Sequence, residues 1–203
     1  MNADTPSSSD APSSGAAASD AAAPPADARQ RAITGAVVDI ERHVSTLGWD
    51  VPVLVFALVN TARALATNPG LAAQLPPGAA EAAAADPEHL TSIEQEGLPE
   101  ADTLEELLGQ LGWPESVDGA AIVVERVVVP PEAETGMPED PEEAVAYLSS
   151  HPARQDVRIA AGVLRTGESW CALRSRAHDT DEAVAGSPDA VPGLVQALLA
   201  TLA

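Results

Sequence analysis

Arginines cluster in the last quarter of the chain, where they could hold an anion or an acidic segment of a partner. The sequence has ten arginines and no lysine, in a chain of 203 residues whose formal net charge is −21. A guanidinium matches a carboxylate or a phosphate with two parallel hydrogen bonds, so clustered arginines are typical of sites for such groups. Half of the arginines fall between residues 154 and 176, namely Arg154, Arg158, Arg165, Arg174 and Arg176.

Most of this cluster lies on two segments, 157–165 and 170–176, that are predicted to form a β-hairpin around Gly167. With a three-residue loop of 167–169, one face carries Val157, Ile159 and Cys171 into the core. Arg158, Arg174 and Arg176 then project from the other face over small residues. This basic hairpin face is predicted to bind a protein partner, and an acidic partner would complement its charge. The alternative is that these arginines pair with the chain's own acids, such as those in 94–106 or 132–143.

A second hypothesis concerns a pocket around the start of the hairpin. His151, Arg154, Asp156 and Arg158 fall within eight residues and combine a candidate base with groups that hold anions. This grouping would suit a small-anion or phosphate-ligand-binding protein, or an enzyme acting on such a ligand.

The familiar catalytic and cofactor patterns are missing. The stretch Gly167-Glu-Ser-Trp-Cys171 departs from the GxSxG nucleophile motif at its last residue. The four histidines share no HxxxH or HExxH spacing, and neither GxGxxG nor the P-loop pattern occurs. The single cysteine, Cys171, is predicted to face the core as an inert thiol. The sequence therefore favours a non-enzymatic protein without a metal or cofactor.

Charge and composition exclude further classes. A net charge of −21 repels nucleic acid, and five aromatic residues are too few for a stacking platform. The longest apolar run, 51–59, is too short to span a membrane. One cysteine fits a reducing compartment, so we expect a cytoplasmic protein, with its oligomeric state left open.

The elements that must position these residues begin after a low-complexity segment. Residues 1–28 consist mainly of Ala, Ser, Pro and Asp, a composition that predicts a disordered tail. Residues 29–203 are predicted to form a single α+β domain. Its expected architecture is an antiparallel sheet of about four or more strands with helices mainly on one face.

Local signals place the elements of this domain. Ile33, Val37, Ile40, Val44 and Leu47 form the apolar stripe of a helix that ends at Gly48. The apolar segment 53–59 indicates a buried strand, with a helix as the rival interpretation. The segment 68–100 is rich in proline and is predicted to be a loop with short helical turns. Further helices are predicted from residue 103, from residue 140 and over 189–202, and a further strand over 120–129.

Several short motifs resemble a conserved actinobacterial protein family of unknown function. The resemblance runs from about residue 30 to the C-terminus and implies no activity, cofactor or site. The motifs that carry it include Gly48-Trp49-Asp50, Phe56-Ala57-Leu58-Val59, Glu125-Arg126, Asp156-Val157-Arg158, Gly162-Val163-Leu164-Arg165, Cys171-Ala172-Leu173-Arg174 and Val191-Pro192-Gly193-Leu194-Val195.

Overall fold

A six-stranded antiparallel sheet organises the chain in the computed structural model, which describes residues 26–130 and 136–203. The strand order is β2-β1-β3-β4-β5-β6, which confirms the predicted α+β class. The strands are β1 Leu54–Asn60, β2 Leu90–Glu94, β3 Gly119–Val128, β4 Gln155–Leu164, β5 Ser169–Ser175 and β6 Ala185–Ser187. The helices of the described residues are α1 Ala26–Ser45, α2 Thr61–Thr67, α3 Ala79–Ala85, α4 Leu104–Gln110, α5 Pro141–Ser150 and α6 Pro192–Ala200.

Helix α1 covers one face of the sheet. Four residues of its predicted stripe, Ile33, Val37, Ile40 and Val44, are buried against β1, β3, β4 and β5. The prediction for the fifth, Leu47, is wrong, because Leu47 lies beyond the end of the helix and is 54% exposed. Gly162 in β4 lets the helix approach, because a Cβ there would lie 2.5 Å from Cγ2 of Val37. The helix begins at Ala26, so the last three residues of the predicted tail belong to it. The rest of that tail, 1–25, lies outside the described residues.

The opposite face of the sheet is covered by α6 and α4. Leu194 and Leu198 of α6 and Leu108 of α4 are buried in a second apolar cluster with β1, β3 and β4. Helices therefore lie on both faces of the sheet, whereas the sequence favoured mainly one. The reason is that the central strands carry apolar side chains on both sides, as the segment 53–59 had indicated.

Several helix ends follow the predicted local signals. Oγ1 of Thr103 accepts a hydrogen bond of 3.1 Å from the amide of Glu106 at the start of α4. Asp140 caps α5 by accepting from the amides of Glu142 and Glu143. Gly48, after α1, has the left-handed φ of 84° that the predicted stop requires.

Two features of the sheet differ from the sequence prediction. The strand β2 lies within 68–100, which was expected to be loop, and pairs with β1. The predicted hairpin register is wrong, because β4 pairs Val163 with Ser169 and Arg158 with Arg174. The residues between these strands are 165–168, so the turn comes earlier than expected. The shift is four residues, an even number, so each side chain stays on its predicted face.

Candidate functional site

The predicted arginine cluster forms a row of charges across the middle of the sheet. Glu125 on β3 lies opposite Arg158 on β4, and Arg158 lies opposite Arg174 on β5. The row lies on the α1 face, at the C-terminal end of that helix. Arg158 is 0% exposed and Arg174 is 2% exposed, so the interior of the protein holds two guanidiniums.

Arg174 is held by three carboxylates. Its Nε and Nη2 donate to the two carboxylate oxygens of Glu41 at 2.5 and 2.9 Å, and Glu41 is itself buried in α1. The remaining donors reach Asp179 at 3.1 Å and Asp181 at 2.7 Å. The hydrogen bonds that Arg174 donates to Glu41 have the largest effect and raise the pKa of Arg174, so its charge is permanent. This ion pair fastens α1 to β5.

Arg158 is bound by a carboxylate, a carbonyl and an indole ring. Its Nη2 donates to Glu125 at 2.8 Å and also to the carbonyl of Gly48. The guanidinium carbon lies 4.5 Å from the centre of the Trp49 ring, which is within cation–π range. Nη1 is buried without a hydrogen-bond partner among the described residues, so the aromatic face compensates part of its lost hydration.

The segment 48–50 closes over this row. The indole Nε1 of Trp49 donates to Asp179 at 2.8 Å, and the amide of Asp50 donates to Glu125 at 2.8 Å. Asp50 has a left-handed φ of 65° and accepts two hydrogen bonds from Arg176, at 2.7 and 3.0 Å. These hydrogen bonds lower the pKa of Asp50 and raise the pKa of Arg176. The hydrogen bond from Trp49 lowers the pKa of Asp179 in the same way.

This geometry corrects the expected open basic face. Ion pairs join four of the clustered arginines to six carboxylates, so the local charge is neutralised. Arg158 and Arg174 lie beneath α1 and 48–50, out of reach of a partner in this conformation. The alternative interpretation, that these arginines pair with the chain's own acids, is the one that the structure shows. The acids are Glu41, Asp50, Glu125, Asp156, Asp179 and Asp181 rather than those of the two predicted segments.

The residues of the predicted anion pocket are only partly brought together. His151 follows α5, accepts from the amide of Ala153 through Nδ1 and packs against the ring of Tyr147 at 5.3 Å between centroids. Arg154 donates to both carboxylate oxygens of Asp156 at 3.0 Å. Arg158 is committed to Glu125 and Gly48 beneath Trp49. In this pocket Arg154 is exposed and His151 is partly exposed, and on the hairpin face Arg176 is exposed, so a binding role for these three residues stays a prediction.

Arg165, the fifth clustered arginine, forms hydrogen bonds to segments that lie far from it in the sequence. Its Nε donates to the carbonyl of Val117 at 2.8 Å, and Nη2 donates to the carbonyls of Trp113 and Pro114. Nη1 donates to the carbonyl of Leu202 after α6. Carbonyl acceptors have no side-chain signature, so this role could not be read from the sequence.

Arg63 and Arg29 line a cleft of about 640 Å³ beside Asp118, at the turn end of β4. These two cations are already paired, and the third arginine of the lining, Arg165, donates to backbone carbonyls. Arg63 bonds to Asp118, and Arg29 reaches Glu168 at 2.7 Å. The lining therefore offers acids and bases in balance rather than a cationic anion site.

One hydroxyl contacts an imidazole in the described part of the chain at hydrogen-bond distance. Oγ1 of Thr61 lies 2.9 Å from Nδ1 of His89 and 2.7 Å from Oγ1 of Thr91. Thr61 is buried, so its hydroxyl holds the start of α2 to β2 and is not open to a substrate. Cys171 is also buried, and burial raises the pKa of its thiol, which makes it a poor nucleophile.

An open surface lies at the edge of the sheet that β2 forms. Clefts of about 480 and 360 Å³ run between β2 and the segment 71–79. Leu71, Leu75 and Pro76 line the outer wall, and Val59 lines the base. Ile93 in the middle of β2 is 48% exposed. We call this surface the β2 groove; sequence reasoning missed it because it missed β2.

The described residues form a six-stranded α+β fold with an internal row of paired charges. Within 26–130 and 136–203, no three His, Cys, Asp or Glu side chains are grouped as metal ligands. No helix in those ranges is long and apolar enough to cross a membrane.

The chain belongs to the PPA1309-like protein family, whose model matches residues 33–203. The match confirms the resemblance to an actinobacterial family of unknown function. No curated protein matches the chain, and no solved structure matches it either.

Proposed function

We propose that the protein is a non-enzymatic partner-binding or regulatory module, of an adaptor or chaperone-like kind, and that the β2 groove is its docking surface. One observation carries this proposal. An edge strand lies beside an apolar groove and presents Ile93 half exposed to solvent. Edge strands with exposed apolar side chains are unfavourable in a monomer unless something else uses them.

The internal charges support the same role by acting as scaffold. The buried row joins α1, β3, β4, β5 and the segment 48–50, and so fixes the sheet whose far edge is β2. A rigid sheet presents an edge strand in one conformation, which reduces the entropy lost when a partner binds.

A location in the cytoplasm belongs to the same proposal. Its support is that the lone Cys171 is buried and unpaired, so the domain depends on no disulfide and suits a reducing compartment.

Substitution of Ile93 tests the proposal. We expect Ile93→Asp to lose a partner that the wild-type protein retains, because a carboxylate in the groove must be desolvated on binding. The measurement is affinity purification from the native host, followed by titration of the purified partner against each variant.

The matched control is Val145→Asp. Val145 lies on α5 and is another exposed branched side chain, with 63% of its surface accessible. The control variant should retain the partner as the wild type does. Equal retention by Ile93→Asp, or equal loss by both variants, would contradict the assignment of the docking surface to the β2 groove.

A further inference from the structure

We propose that the occupant of the β2 groove is an extended segment of a partner protein, carrying apolar side chains at alternate positions with arginine or lysine between them. The segment adds to the sheet as a strand next to β2. This inference rests on the proposed function and specifies the chemistry of the partner and its mode of binding.

The backbone of β2 has a free hydrogen-bonding edge. The amide of Gln95 donates to the carbonyl of Val55 at 2.8 Å, and the amide of Thr61 donates to the carbonyl of His89 at 3.0 Å. In an antiparallel ladder such bonds recur at every second residue, so 91 and 93 also turn towards β1. The amides and carbonyls of Leu90, Ser92 and Glu94 therefore point outward, where no described strand pairs with them.

The side chains beside this edge define what the added strand must carry. Ile93 lies opposite Ala57 of β1 and shares the face that holds Val59. With Leu71 and Leu75 across the groove, it offers apolar contact to one face of an incoming strand. Alternate side chains of a strand lie on the same face, so every second residue of the partner segment should be apolar.

The charges around the β2 groove indicate which residues the partner segment should carry between its apolar positions. Glu94 lines the β2 groove, and Glu96 and Glu115 line the two clefts next to it. The one arginine that lines the groove or these two clefts, Arg63, is paired with Asp118. A basic segment is therefore complementary to the groove.

A second copy of this chain is the wrong occupant on the same grounds. Pairing two β2 strands would bring together two molecules that each carry a formal charge of −21, and two copies of Glu94 with them. The long-range repulsion between such molecules opposes association.

The probe that tests the inference is a phage-displayed library of random peptides of about twelve residues, long enough to cover an edge strand. Selection on the full-length protein should enrich peptides with alternating apolar and basic residues. The selected peptide is then titrated by fluorescence anisotropy against Ser92→Pro and the control Ser92→Ala.

Ser92→Pro removes an amide that points away from β1, so the ladder with β1 is kept, and proline is tolerated at such edge positions. We expect binding to be at least about tenfold weaker for Ser92→Pro and unchanged within about twofold for Ser92→Ala. Circular dichroism checks the fold of both variants. Should Ser92→Pro not fold, a peptide methylated at alternate backbone nitrogens makes the same test with the wild-type protein and should also bind at least about tenfold more weakly.

Undiminished binding by a folded Ser92→Pro, or by the methylated peptide, would overturn strand addition. Enrichment of acidic peptides, or of none, would overturn the chemistry assigned to the partner. Either result leaves the proposed function standing if Ile93→Asp still loses the native partner, so the two proposals fail separately.

Discussion

At the scale of single residues, the buried arginines are explained by their partners. A guanidinium in the interior is tolerated only where carboxylates and hydrogen bonds replace its hydration. Arg174 has Glu41, Asp179 and Asp181, and Arg158 has Glu125 together with the carbonyl of Gly48. Substitution of Arg158 and Arg174 by glutamate would therefore unfold the domain, so this double variant is unsuitable as a test of a binding face.

Removal of one member of the buried pair should be costly. We expect Arg174→Met to lower the free energy of unfolding by about 3–5 kcal/mol, because it leaves the buried carboxylate of Glu41 without its cation. The measurement is urea denaturation at neutral pH.

Two further variants show whether the cost comes from the stranded charge. The exposed pair offers Arg176→Met, which should lower the urea midpoint far less than Arg174→Met does. The double variant Glu41→Leu with Arg174→Met should recover most of the loss, since an apolar pair replaces an ionic one. A double variant as unstable as Arg174→Met would show that the fold needs the arginine for another reason.

At the scale of elements, the sequence predicts what local chemistry determines. Caps at Thr103 and Asp140, the stop at Gly48 and the stripe of α1 are local signals, and each marks a real helix end or face. β2 has only five residues, and it is stabilised by pairing with β1, whose residues lie 30 to 38 positions earlier in the sequence. Pairing of that kind leaves no local pattern.

The arginine row shows the same limit for the candidate site. The alternation of β4 and β5 places Arg158 and Arg174 on one face correctly. What covers that face is a matter of tertiary packing: α1 carries an apolar stripe, and within it Glu41 is the acid that meets Arg174. The spacing of α1 does place Glu41 on this stripe, four residues after Val37 and three before Val44, so this signal was present in the sequence and was missed.

The contact between α1 and β4 depends on Gly162. A Cβ at Gly162 would lie 2.5 Å from Cγ2 of Val37 and 3.1 Å from Cδ1 of Ile33, so Gly162→Ala must push the helix off the sheet. We expect a loss of about 1–3 kcal/mol in the free energy of unfolding, measured by urea denaturation.

Gly193→Ala is the matched control for Gly162→Ala. This glycine lies in the first turn of α6, with nothing within 4 Å of the added carbon, so alanine there should be neutral or stabilising by up to about 1 kcal/mol. A Gly162→Ala protein as stable as Gly193→Ala would contradict the close packing of α1 on β4.

At the scale of the whole molecule, most arginines are bound to the chain's own carboxylates and carbonyls, and the charges left over are acidic. Seven of the ten arginines form ion pairs with the chain's own carboxylates, and Arg165 is held by carbonyls. The excess acids give the molecule its charge of −21 and a repulsive surface field. Under the proposed function, this field would oppose the approach of other acidic chains and favour a basic partner at the β2 groove.

The dependence of stability on pH distinguishes a carboxylate that is hydrogen-bonded in the folded protein, Glu168, from the unpaired acids of the surface. The pKa of Glu168 is lowered, because hydrogen bonds from Thr166 and Arg29 and from its own backbone outweigh the effect of burial. A carboxyl whose pKa is lower in the folded state adds stability above its unfolded pKa of about 4.3 and loses it as the pH falls through the folded value. Surface acids act oppositely, since their protonation relieves repulsion.

Glu168→Gln should therefore be less stable than the wild type by about 1–2 kcal/mol at pH 7, and the difference should close below about pH 4. Comparing the two proteins by urea denaturation at each pH cancels the surface contribution, because both share it. A difference that stays constant or widens in acid would show that Glu168 acts through its shape and not its charge.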